Sequence, residues 1–180
     1  MTINTGRLVT VYRRATLFLI IGLLALHGVP SIYASEDNLP PSLELTDPQD
    51  QIHSLAQYRG QVVLINFWAT WCPSCLAGMP TLEVAWQGYR VGGLVVLVVT
   101  GDHEGTMQAF RLRLGTKLSF PILIDRQAKA VRDWSIKGLP TTFILGRAGK
   151  VRWQTMGPQD LSGETMRGIL RHCRPRGRDI

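Results

Sequence analysis

Two cysteines three residues apart, Cys72 and Cys75, lie in the segment Trp71-Cys72-Pro73-Ser74-Cys75. A dithiol at this spacing can bind a soft metal with help from further ligands, or carry electrons by opening and closing a disulfide. The flanking residues narrow the choice. The pair follows an aliphatic run, Val62 to Phe67, and opens a helical pattern from Pro73 to Tyr89, so Cys72 falls at a helix N-terminus. Unpaired backbone N–H groups and the positive end of the helix dipole favour an anion there, and a thiolate is one. Pro73 suits the first helical position, which has no intrahelical N–H bond to lose. Thiols in such settings drop from about 8.5 to roughly 3.5–7.5, so Cys72 is the expected nucleophile. Cys75, one turn deeper, is expected to attack a mixed disulfide on Cys72 and release the reduced partner.

Other uses of the pair fit less well. Structural zinc usually takes four Cys or His ligands, and the chain has no second C-x-x-C and no H-x-x-x-H. Covalent haem attachment needs a histidine directly after Cys75, where Leu76 stands. A purely structural disulfide has no reason to sit at a strand-to-helix junction beside Trp71. Copper transfer, with His53 or His103 as an extra ligand, stays open as an alternative; otherwise no metal and no cofactor are expected. The third cysteine, Cys173, follows the last helical pattern among Arg171, Arg174 and Arg176. The helix C-terminus disfavours its thiolate while the arginines favour it. An idle thiol is the plain expectation, and an intermolecular disulfide the sharper one.

The elements that must position the pair follow from periodicity. Val62 to Phe67 and Leu94 to Thr100 are near-continuous aliphatic runs, which mark strands buried on both faces. Pro73 to Tyr89 crosses between them with Leu76, Met79 and Leu82 at helical spacing, making a βαβ unit. Glu104 to Gly115 predicts a further helix, Ile122 to Asp125 a third buried strand, and Ala128 to Trp134 another helical stretch. Thr141 to Leu145 and Lys150 to Thr155 surround Gly146-Arg147-Ala148-Gly149, which predicts an antiparallel hairpin. Asp160 to His172 predicts the closing helix. Before all of these, Ser42 to Thr46 and Gln51 to His53 flank Asp47-Pro48-Gln49-Asp50 as two short strands around a turn. The fold class is α/β: a mixed sheet with helices on both faces and an extra N-terminal hairpin.

The chain has 180 residues, 45% of them apolar and 18% charged, which suits one globular domain with a short extension. Its formal charge of +7 is concentrated at the ends. Between residues 36 and 166 there are twelve basic and twelve acidic residues. A balanced body offers no basic face for phosphates, so nucleic acid is not an expected partner. Residues 15–26 form an apolar run behind Arg13 and Arg14, and Ile32 and Ala34 suit a cleavage site after Ala34. These twelve apolar or small residues alone are too short for a spanning helix, but residues 15–34 reach the roughly twenty required. Residues 1–35 are therefore expected to be a signal peptide or a retained membrane anchor. Residues 36–41 are the expected linker, 42–173 the domain and 174–180 a basic tail. The working domain is expected in an extracytoplasmic, oxidising space such as the periplasm.

With these motifs in place, the chain resembles the thioredoxin superfamily, and within it the exported TlpA/ResA-like thiol-disulfide oxidoreductases. The carriers are VVLINFWATWCPSCLAGMP (62–80), GLPTTFIL (138–145) and, more weakly, FPILID (120–125). The resemblance spans about residues 42–172 and implies a thioredoxin-like fold. It implies that Pro140 is a cis-proline packed beside the cysteines, and that the Leu139 backbone pairs with the substrate chain. Trp71, Pro73, Leu139 and Pro140 would then bind substrate around the catalytic Cys72 and Cys75. It further implies a reductant for cytochrome c or copper-site maturation, with a cysteine-containing protein as substrate and a membrane thiol donor recharging the pair.

Two positions depart from the pattern. Many members of the group carry glutamate three residues after the second cysteine, where it helps proton transfer; here that residue is Gly78. Thioredoxin carries a buried aspartate six residues before the first cysteine; here Asn66 stands there, as is common in the exported group. Water, or a carboxylate such as Glu83 or Glu104, is expected to take the proton-transfer role instead. Peroxiredoxins share the fold, but place threonine or serine three residues before the reactive cysteine and proline four before that. Ala69 and Ile65 occupy those positions, which makes a thiol peroxidase the lesser alternative.

Overall fold

Strand alternation sorts the aliphatic runs between two faces of one sheet. A computed structural model describes residues 38–102, 118–161 and 163–173. The strands are β1 (Glu44–Thr46), β2 (Ile52–Ser54), β3 (Val62–Phe67), β4 (Leu94–Thr100), β5 (Ile122–Ile124), β6 (Thr141–Leu145) and β7 (Val151–Met156). They form a single seven-stranded sheet in the order β2-β1-β5-β4-β3-β6-β7. The β3–β4 and β4–β5 pairs are parallel, while β1–β2, β1–β5, β3–β6 and β6–β7 are antiparallel. The expected mixed sheet is therefore present. The N-terminal hairpin joins it through the pairing of Thr46 with Ile124.

The helices are α1 (Pro73–Tyr89), α2 (Lys129–Asp133) and α3 (Gly163–His172). Successive strand residues point to opposite faces. Val62, Leu64, Val96 and Val98 accordingly pack with Met79, Leu82 and Ala85 of α1 and Met166 of α3. Val63, Ile65, Phe67, Leu97 and Val99 pack on the other face with Ala130 of α2 and Trp134. There Trp134 and Phe143 meet edge to face at 4.9 Å. Asn66 is a polar residue within the β3 run, and its side chain donates to Thr142 Oγ1 at 2.9 Å across the β3–β6 pair.

Several expected boundaries shift. The closing helix begins at Gly163, not Asp160, because Pro158 to Leu161 leave β7 as irregular chain with the Leu161 side chain buried. α2 ends at Asp133, where Trp134 and then Ser135, at φ 52°, leave the helix. Asn38, expected in the linker, accepts the Val151 N–H at 2.9 Å, so the chain is already docked on β7 there. The helix expected over 104–115, the leader of residues 1–35 and the tail of residues 174–180 lie outside the described residues. Among the described residues, no helix is long and apolar enough to cross a membrane.

Candidate active site

The carboxyl ends of β3 and β4 build the site. Pairing continues one residue past β3, where the Trp68 N–H donates to the Val99 carbonyl at 3.0 Å. The chain then turns, with the Cys72 N–H on the Ala69 carbonyl at 3.2 Å. Cys72 has extended dihedrals (φ −97°, ψ 102°) and caps α1, and Pro73 occupies the first turn. Its sulfur accepts the Cys75 N–H at 3.2 Å and lies 3.5 Å from Ser74 Oγ. A cap residue supplies an acceptor to otherwise unpaired first-turn N–H groups, and here the acceptor is sulfur.

Cys72 and Cys75 are joined in a disulfide with their Cα atoms 5.3 Å apart. Both are buried, Cys72 with 5% of its surface exposed and Cys75 with 2%. Cys72 is the cap and Cys75 lies within the first turn of the helix, slightly the less exposed of the two.

The Leu139–Pro140 peptide is cis. Pro140 is buried and lines one small cavity together with Cys75, Asn66 and Gly78. The turn after β7 holds this loop: Gly157, at φ 98°, donates its N–H to the Pro140 carbonyl at 2.8 Å. That left-handed conformation suits glycine. Thr141 Oγ1 closes the other side by donating to the Gly138 carbonyl at 2.6 Å. Trp71 is 72% exposed, and with half-buried Leu139 it lines a separate groove of about 400 Å³ that also includes Ile136 and Lys137. Pro73 is exposed on the first turn of α1. Of the expected substrate-binding residues, Pro140 thus lines one concavity, Trp71 and Leu139 line another, and Pro73 lines neither.

Some residues that shape the site carry no motif. Asp102 Oδ2 accepts the Thr70 N–H at 2.6 Å and the Thr100 hydroxyl at 3.1 Å, tying down the loop that carries Trp71 and Cys72. The available signal was its place just past the carboxyl end of a buried parallel strand, where open α/β sheets build their sites. Met156 is exposed and lies against Gly138, next to the cis-proline loop. Its strand period alone would have placed it on the surface.

Other candidates are held elsewhere. Glu83 was a candidate proton carrier, but its carboxylate accepts the Ser119 N–H at 2.9 Å and the Gln87 amide at 2.7 Å. Burial raises its pKa, and hydrogen bonds from Gln87 and Ser119 with the charge of Arg90 outweigh this and lower it. Glu83 is therefore a clamp between α1 and the segment before β5, not a group at Cys75. Glu104 lies outside the described residues. His53, a suggested copper ligand, is hydrogen-bonded to Tyr58 Oη at 2.6 Å and Asp47 Oδ2 at 3.1 Å. His103 lies outside the described residues. Cys173 is a buried free thiol. Burial pushes it up, against the opposing charges of Arg152 and Arg147 on the β6–β7 hairpin; Arg174 and Arg176 lie outside the described residues.

Comparison with known proteins agrees with this geometry. The chain is 37% identical over 113 residues to thiol-disulfide oxidoreductase ResA of Geobacillus kaustophilus, covering 62% of this chain and 64% of that one. It is 29% identical over 136 residues to the protein of the same name from Bacillus thuringiensis, covering 75% and 76%. The chain thus spans just under two thirds of the Geobacillus protein. A Chlorobium tepidum structure bearing the name thiol:disulfide interchange protein DsbE superposes with a TM-score of 0.68 at 26% identity, covering 76% of this chain and 95% of that one. StoA of Bacillus subtilis, at 20% identity and a TM-score of 0.60, shares the thioredoxin-like fold. The AhpC/TSA family model matches residues 37–154. With a cysteine pair at the start of α1 beside a thioredoxin-like sheet and a family match over residues 37–154, the chain belongs to the AhpC/TSA family.

Proposed function

We propose that this chain is an exported thiol-disulfide oxidoreductase that exchanges electrons with cysteines of other proteins. The observation that carries the reading is the Cys72–Cys75 disulfide at a strand-to-helix turn, with the Cys75 N–H directed at the Cys72 sulfur. In the reduced protein the same N–H and the Ser74 hydroxyl would meet a Cys72 thiolate, and hydrogen bonds to ionised groups are about twice as strong as neutral ones. Cys72 attacks one sulfur of a substrate disulfide, and the other substrate sulfur leaves as thiolate. Cys75 then loses its proton and attacks the Cys72 sulfur. The mixed disulfide opens, the second substrate thiolate departs and the Cys72–Cys75 disulfide closes. Two electrons pass to the substrate.

Trp71 and Pro73, the chain neighbours of Cys72, and Leu139 and Pro140 of the cis-proline loop are the proposed substrate contacts. The preferred direction is reduction, serving cytochrome c or copper-site maturation, with a membrane thiol donor recharging the pair. The relatives' shared name supports the exchange chemistry. The apolar run of residues 15–34 behind Arg13 and Arg14 supports export to, or anchorage facing, the periplasm.

The test replaces Cys75 by serine and captures whatever becomes disulfide-linked to Cys72 in the native compartment, for identification by mass spectrometry. Cytochrome or copper-site polypeptides are the expected catch. A Cys72→Ser protein that still reduces protein disulfides would overturn the assignment of the nucleophile.

A further inference from the structure

Cys75 must lose a proton before it can close the disulfide, yet it is 2% exposed and so cannot hand that proton directly to bulk water. Behind it lies a cavity of about 20 Å³. A single buried water needs roughly 10–15 Å³ measured this way, and two to four polar partners. The polar lining is Asn66, Ser74, Thr142 and Gln159. Among the described residues, no aspartate, glutamate, histidine, lysine or arginine lines the cavity, and Cys75 is the one titratable group there.

Asn66 gives the cavity its direction. It is 95% buried, and it stands in the alternating row of β3 that faces α1. Its amide nitrogen donates to Thr142 Oγ1 at 2.9 Å, Asn66 also lines the cavity, and its carbonyl oxygen is an acceptor that this bond does not use. The wall opposite is Gly78, one turn beyond Cys75 on the same helix face, where an added Cβ would meet nothing within 4 Å. The exposed residues Pro158 and Gln159 form the mouth.

We infer that this cavity is a one-water site, positioned by Asn66 Oδ1, that relays the Cys75 proton to solvent past Gln159. The inference rests on the proposed roles of Cys72 and Cys75. The Cys75 thiol passes its proton to the held water, which releases one at the mouth. The Cys75 thiolate then forms a bond to the Cys72 sulfur, and the substrate sulfur leaves as thiolate. Electrons and protons balance without any further reactant. Asn66 is a positioning residue in this scheme, and the water is the carrier.

Reduced protein reacting with dithiobis(nitrobenzoate) separates the steps, because attack by Cys72 releases one coloured thiolate and closure by Cys75 releases the second. Gly78→Leu fills the cavity from the helix side. Gly78→Ala intrudes less and is secure for folding, since its Cβ meets open space. In both variants the second phase should slow relative to the first at neutral pH. For leucine the drop should be about a hundredfold, the low end of what a positioned proton carrier contributes. The second phase of the leucine variant should also keep rising by about tenfold per pH unit where the unaltered protein has levelled off, since only hydroxide then removes the proton.

A second phase unchanged in rate and pH profile in whichever variants fold would overturn the relay. A missing first phase in the unaltered protein would instead overturn the assignment of Cys72, so the two failures are distinguishable.

Discussion

Asp102 offers a direct test of how the reactive loop is held. Replacing it by alanine removes the acceptor of the Thr70 N–H, a 2.6 Å bond two residues before Cys72, together with the 3.1 Å contact to the Thr100 hydroxyl. Hydrogen bonds to charged groups contribute about 1.5–3 kcal/mol. Asp102 is partly exposed, which favours the lower half of that range, about 1.5–2 kcal/mol. For a domain of this size each kcal/mol moves the midpoint by about 3–4 °C, so Asp102→Ala should lower Tm by roughly 5–8 °C. Asp102→Asn keeps an acceptor oxygen and should lose about half as much or less.

The same substitution should act on the chemistry. Small displacements of a reacting group can cost up to about 10²-fold in rate, so a loosened loop should slow attack by Cys72 by about tenfold. Urea unfolding of the oxidised protein measures the first effect, and stopped-flow reaction of the reduced protein with a small disulfide measures the second. An Asp102→Ala protein within about 0.5 kcal/mol of the original, with an unchanged first kinetic phase, would refute the reasoning. Stability lost without any rate change would confine Asp102 to a purely structural role.

Three further outcomes are expected. Burial raises the Asp47 pKa, but the Gln51 N–H, the His53 side chain and the Gln49 N–H outweigh burial and hold the carboxyl below its ordinary 3.8. Its stabilising contribution is therefore present above about pH 4 and lost as pH falls through the lowered native value; Asp47→Asn should flatten the acid limb of a stability-against-pH curve. Cys173, buried and pushed up, should be alkylated far more slowly in the native protein than in urea, and any dimer band on non-reducing gels that persists in Cys173→Ser would exclude it as the linking thiol. Gly78→Glu should speed closure of the disulfide by supplying a carboxylate beside Cys75. It should also gain about 1 kcal/mol of helix stability, separable by chemical unfolding.

The elements legible in the sequence are those whose signals are local. β3, β4 and β6 run where near-continuous stretches rich in β-branched and aliphatic residues place them, because a strand buried on both faces needs apolar residues on both. The Cys72 cap and Pro73 at the start of α1 were legible for a similar reason: the rules for a helix N-terminus operate within four residues. Gly157 in the left-handed region and the irregular chain before α3 were less legible, since Asp160 to His172 carries enough helical spacing to suggest a longer helix than packing of Leu161 allows.

The remaining features join partners far apart along the chain. Asn66 and Thr142 are 76 residues apart and meet because β6 pairs antiparallel beside β3. Thr70 and Asp102 meet across 32 residues because β3 and β4 are parallel neighbours ending at the same edge. Glu83 is diverted to Ser119, and among the described residues the charges of Arg152 and Arg147 reach Cys173 from the hairpin. The cavity behind Cys75 draws its walls from β3, α1, the cis-proline loop and the turn after β7. Periodicity assigns each residue a face within its own element; which faces then meet depends on the order in which crossovers lay the strands side by side, and no local pattern encodes that order.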